Sequence, residues 1–172
     1  SRIPVVKIFD AGRFNEDSLD LILLNCRVSH IRRGDLSAQF ACNKKGVQRM
    51  EEVCARYGND VIQDCMRELL DYSERKIRSA LEGVPDGTYE FTDFLDSDGV
   101  GHGPIPLHVG IEVKGSDIYL DFTRNPDQVK GAINLPKTAL YASVYYGVKS
   151  IVDPTLPSNG GYYRAIHIKT RE

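Results

Sequence analysis

The chain has 172 residues, 41% of them hydrophobic and 27% charged, with a formal net charge of -2. That is the make-up of a globular domain with a buried core. A near-neutral balance with no basic cluster longer than pairs such as Arg32-Arg33 excludes an electrostatic footprint for nucleic acid, and no apolar run approaches the roughly 20 residues that span a bilayer.

In chain order, Asn15-Glu16-Asp17 marks a helix start: Asn15 caps free amides and the acids suit the positive end of the helix dipole. Leu19, Ile22, Leu23 and Cys26 then recur on one helical face. Asp35 is placed to cap a second helix, with an inward stripe of Leu36, Phe40, Val47, Met50, Cys54 and Tyr57; Gly46 weakens its middle and Gly58 ends it. Asn59-Asp60 opens a third helix with Ile62, Cys65, Met66, Leu69, Leu70 and Ile77 inward, stopped by Gly83 and Pro85.

The period then changes from 3.6 to 2. Tyr89 and Phe91 alternate with polar neighbours after the Pro85-Asp86-Gly87 turn. A two-residue turn at Gly115-Ser116 pairs Lys114 with Asp117, Val113 with Ile118, Ile111 with Leu120 and Val109 with Phe122. A slip of one residue would set apolar against polar throughout, so this register is strongly specified. Pro136 opens a fourth helix whose inner face is Leu140, Val144, Gly147, Val148 and Ile151; Asn159-Gly160-Gly161 turns, and Tyr162 to Lys169 reads as a last strand. The expected fold is α+β: a helical N-terminal half, an antiparallel β-hairpin or sheet, one more helix and a final strand, with residues 1–172 as one domain.

Cys26, Cys42, Cys54 and Cys65 fall in predicted helices without a C-x-x-C pair, so buried free thiols and a reducing cytoplasm are expected rather than zinc or disulfides. Asp96-Ser97-Asp98-Gly99 opens like a calcium loop, but Leu107 stands where the bidentate Glu belongs, and a solvated turn is expected. Gly99, Gly101 and Gly103 precede prolines and a strand rather than a helix, which suits a flexible loop better than a phosphate cradle. His30, His102, His108 and His167 are scattered. His108 and His167 fall on polar strand faces, where exposure is the default. Asp35, with Gln39 one turn on, is either a cap or a site residue. Asp121 faces away from the apolar side of its strand with Tyr119 and Thr123. Gln128, Asn134 and Asn159 are hydrogen-bonding loop residues and Arg164 can fork onto a carboxylate or phosphate. These serve turns, with Asn134 as a cap before Pro136, or form a polar wall facing a ligand or a neighbouring subunit.

Three stretches together carry a resemblance: Asn25-Cys26-Arg27 with Gly34-Asp35-Leu36-Ser37-Ala38-Gln39; Asp121-Phe122-Thr123 followed by Gln128, Gly131 and Asn134; and Pro157-Ser158-Asn159-Gly160-Gly161-Tyr162-Tyr163-Arg164. In this order and spacing they resemble the hydantoinase B/oxoprolinase family, with its related acetone and acetophenone carboxylase subunits. Val28-Ser29-His30, where relatives often have a proline, and Arg124-Asn125, where a glycine is common, depart from the pattern. The resemblance implies an interior or C-terminal-side piece of a longer subunit of an ATP-dependent cyclic-amide hydrolase, or a short relative of one. It also implies an ATP-binding, hydantoinase A-like partner subunit that phosphorylates the amide oxygen and so creates a leaving group that the resonance-stabilised amide lacks. On this reading Arg27, Asp35, Gln39, Asp121, Gln128, Asn134, Asn159 and Arg164 contact a small-molecule substrate or line a subunit interface. No catalytic residue or metal ligand is assigned in this chain; ATP and a divalent metal are expected in the intact enzyme. The isolated chain is expected to be inactive. A carboxylase-type subunit and a non-catalytic interaction module are the alternatives.

Overall fold

Ala11 and Gly12, both at positive φ (47° and 82°), turn the chain between β1 (Phe9–Asp10) and β2 (Arg13–Phe14). In the computed structural model, which describes residues 3–171, this hairpin pairs Phe9 with Phe14 and Asp10 with Arg13. The Asn15 side chain then accepts the Ser18 N–H at 3.2 Å and caps α1 (Glu16–Leu24), as expected from the sequence. The chain forms two compact units, Ser1–Ile62 and Gln63–Glu172.

In the first unit α2 (Ser29–Tyr57) is a single helix of 29 residues, unbroken at Gly46. It starts earlier than expected. Val28, in the left-handed region at φ 56°, offers its carbonyl to the N–H groups of Ile31 and Arg32. Arg33, in the second turn, pairs with Glu16 (3.2 Å) and Asp20 of α1. Asp35 is therefore not a cap but lies inside the helix, where it pairs with Arg32 one turn back at 2.8 Å. Phe9, Phe14 and Phe40 pack edge to face or tilted, with centroids 5.2–6.1 Å apart. Among the described residues α2 buries none of its side chains, so the expected inward stripe is a surface stripe.

The second unit is a four-stranded sheet with helices on its apolar side. α3 (Asn59–Leu81) begins at the expected asparagine and buries Ser73, Ile77 and Leu81; Cys65, Met66 and Leu69, expected inward, are exposed. The strands are β3 (Gly87–Leu95), β4 (Ile105–Lys114), β5 (Asp117–Asp121) and β6 (Ile166–Lys169), in spatial order β3-β4-β5-β6. The expected hairpin register holds from Lys114–Asp117 through Val113–Ile118 and Ile111–Leu120. It ends at Gly110–Asp121: the Phe122 N–H turns away to the Lys169 carbonyl at 2.9 Å. α4 (Lys137–Val152) carries the chain from β5 to β6, which joins β5 in parallel, so the sheet is mixed. Residues 162–165 form a 3-10 turn rather than the first half of a strand, because Tyr162 and Ala165 drop into the core. The core comprises Ile77 and Leu81, Val113, Ile118 and Leu120, Val144 and Val148, Leu156, Tyr162, Ala165 and Ile166.

The cysteines depart from expectation. Cys42 and Cys65 are exposed, Cys26 and Cys54 half-buried, and Cys26 lies just beyond α1; all four are free. No helix among the described residues is long and apolar enough to cross a membrane.

Candidate functional site

Side chains alternate across a strand, so the face opposite the core collects every second residue of the sheet. Two full rungs cross all four strands there: Thr88–Glu112–Tyr119–His167 and Glu90–Gly110–Asp121–Lys169. A third begins with Thr92–His108. Gly110, with no side chain, leaves a hollow between Glu90 and Asp121. The residues of the two full rungs, with His108 and Arg124, line an open groove of about 450 Å³.

Glu90 pairs with Arg124 at 2.8 Å and Asp121 with Lys169 at 3.0 Å. Asp121 also accepts the hydroxyl (2.6 Å) and N–H (2.7 Å) of Thr123. Those Thr123 bonds, with Lys169, hold its carboxyl well below the usual carboxylate range, so it is an anion at neutral pH. Tyr119 stacks on His167 with centroids 4.5 Å apart. His108 is the one buried polar side chain of the groove, not exposed as expected, and its Nδ1 shares a hydrogen bond with Thr92 Oγ1 at 2.9 Å. Asn125 clamps its backbone, accepting the His108 N–H at 2.8 Å and donating to the His108 carbonyl at 2.7 Å. The buried Nε2 has no hydrogen-bond partner among the described residues, an arrangement that costs stability unless something else satisfies it.

A charge network leaves the groove. His167 Nε2 lies 2.8 Å from Asp117, which binds Arg78 at 2.8 Å; Arg78 binds Glu74 at 2.9 Å, and Glu74 binds Arg164 at 2.8 Å. Arg164 also reaches Asp71 at 2.7 Å. Hydrogen bonds from Arg164 first, then Arg78, lower the Glu74 pKa. Burial pushes Asp117 upward, but bonds from His167 and Arg78 outweigh it and leave its pKa lowered.

The loop residues conspicuous in the sequence hold structure. Asn159 donates to the buried Ser73 hydroxyl at 2.8 Å and accepts the Gly161 N–H at 3.0 Å. Asn134 does not cap α4; it accepts the Val129 N–H (3.0 Å) and donates to the carbonyls of Val129 (2.7 Å) and Gly131 (3.0 Å), while Pro136 occupies the cap position. The loop expected to be a solvated turn is organised by a buried carboxylate. Asp98 accepts the N–H groups of Val100 (2.9 Å), His102 (3.0 Å) and Gly131 (3.2 Å), and the amides of His102 and then Val100 lower its pKa. Its oxygens are turned to the backbone of its own loop and of Gly131, and no group of three or more His, Cys, Asp or Glu among the described residues is placed to hold a metal ion. Gln128 is exposed in the loop after β5. In the first unit, Arg27 is exposed between α1 and α2, and Asp35 and Gln39 are exposed one turn apart on α2.

Asp121 thus joins a groove whose other members, His108, Glu90, Arg124 and Tyr119, are not marked as site residues by any motif. A signal for them is present all the same: strand alternation puts Glu90, His108 and Asp121 on one face, and a glycine at a polar-face position marks a hollow.

The order of these elements agrees with known proteins. The family model described as Hydantoinase B/oxoprolinase matches residues 1–172. The chain belongs to this family. Within it, the chain is 33% identical over 167 residues to the beta subunit of the caprolactamase of Pseudomonas jessenii, covering 97% of this chain and 29% of that protein. It is 34% identical over 178 residues to the corresponding subunit of a putative D-/L-hydantoinase from Pseudomonas sp. (strain NS671), covering 97% and 30% respectively. The crystal structure of the ATP-dependent caprolactamase from Pseudomonas jessenii superposes with a TM-score of 0.87 at 32% identity, over 100% of this chain and 30% of that one. The chain therefore spans about 30% of the length of these hydantoinase B relatives.

Proposed function

We propose that this chain forms part of a cytoplasmic, ATP-dependent hydrolase of cyclic amides, and that the polar sheet face is a wall of its substrate site. The observation that carries the activity is the likeness to a caprolactamase over the whole chain. Caprolactam, hydantoins and 5-oxoproline share an unreactive ring amide, whose opening needs activation of the carbonyl oxygen. Bound ATP, held by a hydantoinase A-like partner subunit, supplies that activation by phosphoryl transfer, and a divalent metal is expected in the rest of the enzyme.

This chain's own residues would orient and discriminate. The fixed Asp121 carboxylate is an acceptor for a ring N–H, the buried His108 ring forms the floor beneath it, and Arg124 and Lys169 provide positive charge beside an anionic intermediate. In this reading Asn134, Asn159 and Arg164 hold the wall in shape, while the exposed Arg27, Asp35, Gln39 and Gln128 face substrate or the rest of the assembly.

The test introduces His108→Ala and Asp121→Asn into a full-length subunit carrying this sequence, combined with its ATP-binding partner. A fall of about tenfold or more in kcat/KM for ring opening, with assembly intact, supports the wall. Unchanged kcat/KM in both variants removes it. Carboxylation of acetone in place of ring opening would move the protein to the carboxylase branch.

A further inference from the structure

α2 carries a second pattern that the proposed chemistry does not use. From Leu36 the stripe continues through Phe40, Asn43, Val47, Met50, Cys54 and Tyr57, at alternating intervals of four and three residues. That is the 3.5-residue repeat of a coiled-coil seam, not the broader stripe of a helix lying on a sheet. It lies on the surface: Val47 is 60% exposed, Met50 47% and Tyr57 52%. At its N-terminal end Phe40 is joined by Phe9 and Phe14, themselves 48% and 39% exposed, which widens the apolar strip. The opposite side of α2 is already satisfied by Lys45–Gln48 (3.0 Å), Gln48–Glu52 (3.0 Å) and Arg49–Glu52 (2.7 Å). Lys44 and Glu51, which flank the seam, have no ion pair among the described residues.

We propose that this seam seats a second copy of the chain, with the two α2 helices antiparallel. The pattern is self-complementary in that orientation. Val47 meets Met50 of the second copy, Asn43 meets Cys54, and Phe40 with its two phenylalanine neighbours receives Tyr57. The flanking positions then set Lys44 against Glu51 of the second copy, twice by symmetry, and small Gly46 against larger Val53. The parallel alternative sets Lys44 against Gln39 and Glu51 against Gly46, without an ion pair, and stacks Asn43 on itself. Charge complementarity therefore selects both the partner and its direction.

The test is sedimentation equilibrium of a full-length subunit carrying this sequence. The wild type is expected to dimerise reversibly. Lys44→Glu sets like charges together twice and raises the dimer dissociation constant by about tenfold or more, as does Glu51→Lys. The double reversal, Lys44→Glu with Glu51→Lys, restores the dimer. Both sites are exposed helix positions, so circular dichroism should report unchanged helix. Mild oxidation of an Asn43→Cys variant should then link position 43 of one copy to Cys54 of the other, as read by peptide mapping. A chain that stays monomeric with α2 helical, a double reversal that fails to restore the dimer, or a 43-to-43 crosslink overturns the proposal.

Discussion

The Asp98 carboxylate accepts the backbone N–H of Gly131, 33 residues further along the chain, at 3.2 Å. This bond closes the loop after β3 onto the loop before α4, and the closure is tight. A Cβ at Gly131 would lie 1.8 Å from the Asp98 carbonyl oxygen. Gly131→Ala is expected to destabilise the protein by about 3 kcal/mol, the upper part of the overpacking range. Urea denaturation measures this as a fall in midpoint at constant m value.

Gly161 makes a similar approach to α3, where an added Cβ would lie 1.8 Å from the Leu70 carbonyl oxygen. The 3-10 turn that buries Tyr162 depends on it, and burial pushes the Tyr162 hydroxyl up to about 12. Gly161→Ala should push this turn off α3 and lower the pH midpoint of Tyr162 ionisation, as read by absorbance titration. An unchanged titration would show that the turn tolerates the methyl.

Ser73 is buried and stands between the Leu69 carbonyl, to which it donates at 2.9 Å, and the Asn159 amide, from which it accepts. Ser73→Ala leaves the Asn159 donor without its acceptor at a partly buried position. A loss of about 1–2 kcal/mol is expected, with Asn159→Ala non-additive with it in a double-mutant cycle.

The network from Arg164 to His167 predicts an acid dependence with a definite sign. Glu74 and Asp117 have pKa values below their ordinary 4.5 and 3.8 in the folded chain. The unfolded chain therefore takes up these protons at higher pH than the folded one. The stability they contribute is fully present above about pH 5 and is lost as pH falls through the ordinary values toward the lowered ones. Glu74→Gln should flatten the acid limb of stability against pH, as measured by urea midpoints between pH 3 and 6, and leave the neutral plateau parallel to the wild type.

What the sequence made legible follows from what is local. The hairpin register was readable because each apolar residue has one partner that keeps both on the same face, and the turn at Gly115-Ser116 fixes the offset. The cap at Asn15 was readable because one side chain and its nearest amides decide it, and the start of α3 because Gly58, at positive φ, breaks the chain just before Asn59. The start of α2 was not. Asp35 resembles a cap, and the contacts of Arg33 with α1 that extend the helix past it come from residues 13 and 17 positions away. Alternation put His108 on the polar face but could not give its depth, which Asn125 sets from the loop after β5. Asp98 was similarly hidden, since one of its partners is Gly131. Family-like residues such as Asn134 and Asn159 stood out in the sequence, but their contacts are with backbone and with Ser73.

The central claim is that this chain belongs to an ATP-driven opener of ring amides. Its most direct test is product analysis with a full-length subunit carrying this sequence, combined with an ATP-binding partner and supplied with caprolactam, hydantoin or 5-oxoproline. The predicted result is ADP formed together with the ring-opened acid of at least one of the three, and neither product without ATP. A folded, ATP-hydrolysing complex that opens none of the rings would contradict it.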